Sequence, residues 1–314
     1  MAMRPEEVHA LVLARPWARR PWARKLVDAF PERLAAALAR WELTVTGAHT
    51  DGAELPVLSV HGRSIGPAIL KLGGHGSDLS QQVRLLRAAD GRGYVRVLEE
   101  AEDLDAVLLE ALGAPLHTSQ PDPVAQSRAL AALLPSTWEL PAAVGAPHAP
   151  GQKAASLLAL VEGALDGPEQ VPGGADAELL ERARSLALEL RDHPAPTQAV
   201  LHGDPHSGNA LRRGTEHVLI DPDGFLGERE YDAGVMLRDH QHRIDELDRT
   251  EGAGAGRRWQ AELTVEISSR LELEPERVLA WAHLERVTTG LFLGRLGWHE
   301  ESAAWLRTAG RILC

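Results

Sequence analysis

The segment Val200-Leu201-His202-Gly203-Asp204-Pro205-His206-Ser207-Gly208-Asn209 runs from an apolar stretch into a loop that carries a carboxylate and, five residues on, a carboxamide. Twelve residues beyond Asn209, a second apolar run, Val218-Leu219-Ile220, ends in Asp221-Pro222-Asp223-Gly224. These residue types suit phosphoryl transfer. A carboxylate orients an acceptor hydroxyl and takes its proton, while an amide oxygen and a second carboxylate offer Mg²⁺ the hard oxygen donors it prefers. Asp204 is therefore the candidate base, and Asn209 and Asp221 are the candidate metal ligands. Asp223 could hold a second metal, orient substrate or serve its turn. The plain alternative is a pair of turn caps, since Asp-Pro and Asn favour turns. Three polar ligands following two apolar strands, however, is a costly pattern without a charge to bind. A zinc triad of His202, Asp204 and His206 is a second alternative, but it leaves Asn209 and Asp221 unexplained. His240 and His242 could join such a triad, yet the stretch Arg238 to Arg243 reads as a solvated helix end.

The elements that must position these residues follow from periodicity. Gly214 lies between the two apolar runs and predicts that they fold as a hairpin, presenting Asp204, Asn209 and Asp221 on one side. Near the N-terminus Phe30, Leu34, Leu38 and Trp41 recur at helical spacing, with Pro31 suited to a first turn. Three strands follow, Trp41–Thr46, Leu55–Val60 and Pro67–Leu72, punctuated by Gly47, Gly52, Gly62 and Gly66. A helix from Leu79 to Ala89 and strands Tyr94–Leu98 and Ala106–Leu109 complete the order β-β-β-α-β-β. Lys71 stands inside an apolar strand, where a lysine needs a reason; an edge-strand lysine reaching for water is the other reading. Gly113, Pro115, Pro121 and Pro123 mark a hinge. Helices are predicted beyond it at Val124–Leu134, Ala154–Leu165 and Glu178–Leu190, the last with Leu179, Ala183, Leu186 and Leu190 on one face. Val278, Trp281, Leu284, Val287 and Leu291 form another stripe, read as core.

The expected fold is α+β and two-lobed. Residues 1–112 form an N-terminal nucleotide-binding lobe with a helical extension over 1–40 and a five-stranded antiparallel sheet with one helix. Residues 113–314 form a mostly helical lobe carrying the catalytic loop and acceptor site. Such an architecture places a nucleotide in the cleft between lobes.

Composition bounds the partners. The 314-residue chain has 44% hydrophobic and 25% charged residues, the profile of an ordinary soluble protein. No signal peptide or membrane span is read from it, so the cytoplasm is expected. Its net charge of −12 argues against a nucleic-acid partner and would suit a cationic small-molecule acceptor. A single cysteine, Cys314, excludes an intramolecular disulfide and a cysteine metal cluster. A monomer or homodimer is expected.

The pattern H-G-D-x-x-x-x-N followed by I-D-P-x-G resembles the aminoglycoside phosphotransferase family, whose fold is that of eukaryotic protein kinases. Gly227-Glu228 and Tyr231-Asp232 extend the likeness to the branch of streptomycin 6-phosphotransferase and hydroxyurea phosphotransferase. Arg40-Trp41-Glu42-Leu43, Ala68-Ile69-Leu70-Lys71, Asp90-Gly91-Arg92-Gly93 and Leu108-Leu109-Glu110 occur in that branch's order, so the resemblance runs from Trp41 to Leu237.

The resemblance implies an ATP- or GTP-dependent, Mg²⁺-requiring kinase of the antibiotic-resistance type. Its acceptor would be a streptomycin-like aminocyclitol or a small hydroxylated molecule such as hydroxyurea. Asp204 would be the catalytic base and Asn209 and Asp221 the magnesium ligands. Lys71 would hold the α- and β-phosphates, and Glu110 to Leu112 would form the hinge that binds adenine through backbone groups. His202 would buttress the catalytic loop and Asp232 brace it. Gln82 stands where the branch commonly has a glutamate to pair with the strand lysine; it can accept a hydrogen bond from Lys71 but brings no charge. Thr46 to Gly52 is a candidate turn over the phosphates, without a G-x-G-x-x-G signature. Glu228 could face a cationic acceptor or cap the helix starting near Tyr231. A metabolic sugar or amino-alcohol kinase, and a non-catalytic nucleotide-binding pseudokinase, remain alternatives.

Overall fold

Helix α2 (Arg24–Arg40) buries Val27, Phe30, Leu34 and Ala37 at alternating three- and four-residue spacing, the stripe that turns one helix face toward a core. The stripe begins at Val27, so the helix starts upstream of the expected Phe30 and carries Pro31 in its interior instead of its first turn. Burial of Val27 and Phe30 offsets the hydrogen bond that Pro31 cannot donate. Preceding it is α1 (Pro5–Leu13). The computed structural model describes residues 2–50, 55–74, 78–167, 171 and 176–313. The chain divides into units Met1–Gly113 and Ala114–Cys314.

In the first unit β1 (Leu43–His49), β2 (Val57–Gly62), β3 (Gly66–Leu72), β4 (Val97–Ala101) and β5 (Ala106–Glu110) form one sheet in the order β1-β2-β3-β5-β4, every pairing antiparallel. Helix α3 (Leu79–Ala89) enters between β3 and β4. Alternation along β1, with Leu43 and Val45 inward and Thr44 outward, is the period of a half-buried strand. Leu58, Val60, Leu70 and Leu108 pack with Phe30 and Leu34 of α2 in one core. The expected strand at Tyr94–Leu98 begins later, at Val97, after Tyr94 and Val95 are already buried. Of the expected phosphate turn, Thr46 to His49 continue β1, while Asp51 and Gly52 lie outside the described residues.

The second unit is mainly helical. It contains α4 (Leu116–Ser119), α5 (Pro123–Leu133), α6 (Pro135–Trp138), α7 (Gln152–Asp166), α8 (Ala177–Asp192), α9 (Arg229–Arg238), α10 (Gln241–Glu251), α11 (Ala255–Leu271), α12 (Pro275–Leu296) and α13 (His299–Leu313). Helix α12 touches α7, α8, α9, α11 and α13, and its Trp281, Leu284 and Val287 join Leu158, Val161, Ala183, Tyr231 and Val235 in one core. Gly234 of α9 allows the close approach to α12, for a Cβ there would lie 2.5 Å from that of Trp281. On α8 the buried face is Leu179, Leu180, Ala183, Ala187 and Leu190, rotated slightly from the expected stripe.

The short strands depart from the expected hairpin. β7 (Ala210–Arg213) pairs with β8 (Glu216–Leu219) around Gly214, whose φ of 64° suits the turn. The run at Val200, however, belongs to β6 (Ala199–Val200) and pairs with β9 (Leu226–Gly227). The hairpin thus begins after Asn209 and ends before Asp221, and β6–β9 closes the loop that contains both.

Candidate active site

The loop leaving β6 is anchored by two buried side chains. His202 is fully buried; its Nε2–H donates to the Ile220 carbonyl at 2.9 Å and its Nδ1 accepts from the Asp204 amide at 3.1 Å. That pairing requires a neutral ring, and burial holds its pKa down at about 4. Both nitrogens being used within the fold, His202 cannot ligate zinc as the alternative triad required. Asp232, on the first turn of α9 and fully buried, accepts from the His202 amide at 2.9 Å, the Gly203 amide at 2.8 Å and Trp138 Nε1 at 3.0 Å. Burial raises its pKa to about 6 against the pull of those donors. Gly203 takes φ +93° and packs where a Cβ would sit 2.6 Å from that of Asp223, so the chain can turn there only without a side chain.

Asn209 closes the loop. Its Nδ2 donates to the Asp204 backbone carbonyl at 3.0 Å, and its own backbone carbonyl accepts from the Ile220 amide at 2.9 Å. The Ile220 bond puts Asp221 beside Asn209 at the mouth of the hairpin. Asp221 has a φ of 53°, a left-handed conformation that non-glycine residues adopt rarely. With the Asn209 side-chain nitrogen committed to the loop, its side-chain oxygen and the Asp221 carboxylate are the candidate oxygen donors for a metal. Such a set suits Mg²⁺, which takes one or two protein oxygens and completes its shell with water and substrate phosphates. Asp223 donates its amide to the His202 carbonyl at 2.7 Å and remains exposed.

The Asp204 carboxylate meets groups that the sequence reading missed. Arg238 Nη2 donates to Asp204 Oδ1 at 2.5 Å, Nη1 to Glu285 Oε2 at 2.9 Å, and Nε to Asp239 Oδ1 at 3.3 Å. Tyr231 donates its hydroxyl to Glu285 Oε1 at 2.6 Å. Burial pushes the Asp204 pKa upward, but the charge of Arg238, with His206 and His202, outweighs it and leaves the carboxyl below its usual value. The expected solvated end at Arg238 to Arg243 is corrected here: Arg238 is only 13% exposed, and His240 is buried with Nε2 2.8 Å from Ser127 Oγ. The missed signal was spacing. Arg238 lies seven residues after Tyr231 and so shares its helix face, while Glu285 follows Trp281 by four within an apolar stripe.

Glu228 is likewise structural. It sits at the N-cap of α9 but makes no side-chain cap bond. Its buried carboxylate accepts from Arg277 Nε at 2.5 Å, Arg277 Nη2 at 2.9 Å, Trp281 Nε1 at 2.8 Å and the Ala195 amide at 3.1 Å.

In the first unit Lys71 lies on β3, flanked by β2 and β5, and is 9% exposed, which removes the edge-strand reading. Its Nζ donates to Gln82 Oε1 at 3.0 Å. Helix α3, which carries Gln82, is capped by Asp78 accepting from the Gln81 amide at 2.9 Å. Glu110 ends β5; its amide donates to the Arg96 carbonyl at 3.0 Å and its carboxylate accepts from the Arg96 amide at 2.9 Å. Leu112 is half-buried in the extended segment that follows.

Solved structures share this architecture. An aminoglycoside phosphotransferase, APH(4)-Ia, in complex with ADP and hygromycin B superposes with a TM-score of 0.59 at 15% identity, covering 89% of this chain and 97% of that one. Choline kinase LicA from Streptococcus pneumoniae gives 0.58 at 13% identity, covering 92% and 99%. The fold is therefore that of the protein-kinase-like phosphotransferases.

The chain belongs to the aminoglycoside/hydroxyurea antibiotic resistance kinase family, whose profile matches residues 40–297. It is 35% identical over 210 residues to a hydroxyurea phosphotransferase of Kitasatospora aureofaciens, a match spanning 65% of this chain and 60% of that protein. It is 30% identical over 264 residues to a streptomycin 6-kinase of Streptomyces griseus, spanning 82% and 81%. Among the described residues no helix is long and apolar enough to cross a membrane.

Proposed function

We propose that the protein transfers the γ-phosphate of ATP to a hydroxyl of a small acceptor, either streptomycin-like or a small hydroxylated molecule such as hydroxyurea. The observation that carries this reading is the loop in which Asp204, Asn209 and Asp221 are brought together by His202, Asp232 and the Ile220–Asn209 bond. Lys71 serves the α- and β-phosphates, and the backbone from Glu110 to Leu112 serves adenine. Asn209 and Asp221 would hold Mg²⁺, which neutralises charge on the phosphates. Asp204 aligns the acceptor hydroxyl and receives its proton as the acceptor oxygen bonds to the γ-phosphorus and ADP leaves. Its depressed pKa keeps it ionised and makes it a weak base, so alignment is its larger contribution. The excess of carboxylates favours a cationic acceptor, and the family membership favours a resistance enzyme over a metabolic kinase.

The test is ADP release from ATP and Mg²⁺ with and without streptomycin, hydroxyurea and a panel of aminoglycosides, sugars and amino alcohols. One acceptor should stimulate release, and Asp204→Ala should abolish the stimulation. ATP binding without stimulation by any acceptor would favour the pseudokinase reading, to which the uncharged Gln82 belongs.

A further inference from the structure

Asp204 offers two carboxylate oxygens, and an acceptor hydroxyl needs one of them in a defined place. Arg238 Nη2 occupies Oδ1 at 2.5 Å, while Oδ2 points toward His206 Nε2 at 3.6 Å. The Asp204 side chain is 38% exposed but that of Arg238 only 13%, so the carboxylate is gripped from its buried side and open on the other. The grip is itself held. Glu285, 6% exposed, takes Arg238 Nη1, Tyr231 takes the other Glu285 oxygen, and Asp239 takes Arg238 Nε. The Arg238 carbonyl is also fixed, by Arg286 Nε at 3.1 Å.

We propose that Arg238 is a positioning residue for the phosphotransfer reaction. It stops the Asp204 carboxylate from rotating, so that Oδ2 alone faces the acceptor hydroxyl, and Glu285 sets the angle of its guanidinium. The inference rests on Asp204 being the group that aligns the acceptor. Three acceptors in different directions around one planar fork are a task for guanidinium, not for an ammonium point charge. Removing Arg238 alone would also leave the buried Glu285 without its cation and cost stability, so the positioning role is read from kcat of the folded protein. An apolar side chain at position 238 would fill the space and leave Asp204 free to turn.

The experiment compares wild type with Arg238→Met, Arg238→Lys, Glu285→Gln and Asp204→Ala in ADP release. It uses whichever acceptor of the panel is active, or water as the acceptor when none is, with folding checked by circular dichroism and ATP binding. A misplaced reacting group costs about 100-fold in kcat, and that loss is expected for Arg238→Met with KM values for ATP and acceptor nearly unchanged. Arg238→Lys should recover part of the loss, since a lysine still reaches one carboxylate. Should Arg238→Met fail to fold, Glu285→Gln, which keeps volume and the Tyr231 contact, decides the matter through a smaller drop confined to kcat. A folded Arg238→Met or Glu285→Gln with wild-type kcat, or with loss confined to KM, overturns the proposal. If instead Asp204→Ala keeps the wild-type rate, the assignment of Asp204 itself falls, and the role of Arg238 with it.

Discussion

Replacing Glu228 by Gln preserves shape and removes one charge, and the structure says what that change should do. Four donors converge on the carboxylate: two from Arg277, one from Trp281 and the Ala195 amide. Glutamine has one acceptor oxygen and one NH₂ group. Whichever way the amide is turned, its NH₂ faces two donors, either Arg277 Nε with the Ala195 amide or Arg277 Nη2 with Trp281 Nε1. The Arg277 guanidinium, 20% exposed, is left without its anion. Breaking a buried pair on one side costs about 3–5 kcal/mol, and the residual exposure of Arg277 selects the lower end. In a unit of this size about 3 kcal/mol lowers Tm by roughly 6–12 °C. Calorimetry of wild type and Glu228→Gln measures the shift, and ADP release well below the transition should be little changed. A variant with wild-type Tm and a raised KM for a cationic acceptor would refute the reasoning and return Glu228 to the acceptor site.

Replacing Gln82 by Glu turns its charge-assisted bond with Lys71 into an ion pair with charge on both partners; KM for ATP should fall, and steady-state kinetics that show no change would count against the assigned role of Lys71. Gly203→Ala places a methyl group against Asp223 and Phe225 at a φ that costs about 1–3 kcal/mol, so both Tm and kcat should drop; an unaltered variant would mean that the loop adopts another path. Stability should also fall with pH. His202 and His240 have pKa values lowered by burial to about 4, so unfolding takes up protons at pH between that value and the unfolded 6.5, and their contribution is lost as pH falls through this window. Asp232, raised by burial to about 6, acts oppositely, its contribution being full below its unfolded pKa and lost as pH rises through about 6. With His283 lowered by burial to about 3 and Asp223 raised by desolvation to about 6, three protons are taken up against two released between about pH 4 and 6, a net loss of about 1.4 kcal/mol per pH unit on acidification, and Asp232→Asn should steepen the Tm slope between these limits.

What the sequence carried and what it did not can be separated by range. Glycines between alternating apolar runs announced the five strands and α3 because turn chemistry and period-two patterning are local properties. The grouping of Asp204, Asn209 and Asp221 was readable because short spacing confines them to one loop. The pairing of β6 with β9 was not, since a two-residue strand carries no periodicity and Gly214 offered a nearer partner. Arg238 was assigned to solvent because a charged residue at a helix end usually faces water; its burial depends on Glu285, 47 residues away. Glu228 makes no cap bond because its carboxylate is taken by Arg277, 49 residues distant. A long-range ion pair marks the local pattern only as a charged residue on an apolar helix face, which does not name its partner.

Helix α12 grips α9 at both ends. Trp281 holds Glu228 just before the first turn of α9, and Glu285 and Arg286 hold Arg238 at its last. Between those ends Asp232 holds the loop that leads to Asp204. During synthesis, therefore, the loop residues leave the ribosome long before the helix that seats them. A nascent chain ending ahead of Pro275 has all three of Asp204, Asn209 and Asp221 and none of the α12 contacts that lock their platform, so the support beneath the candidate site is completed late in translation, when α12 docks.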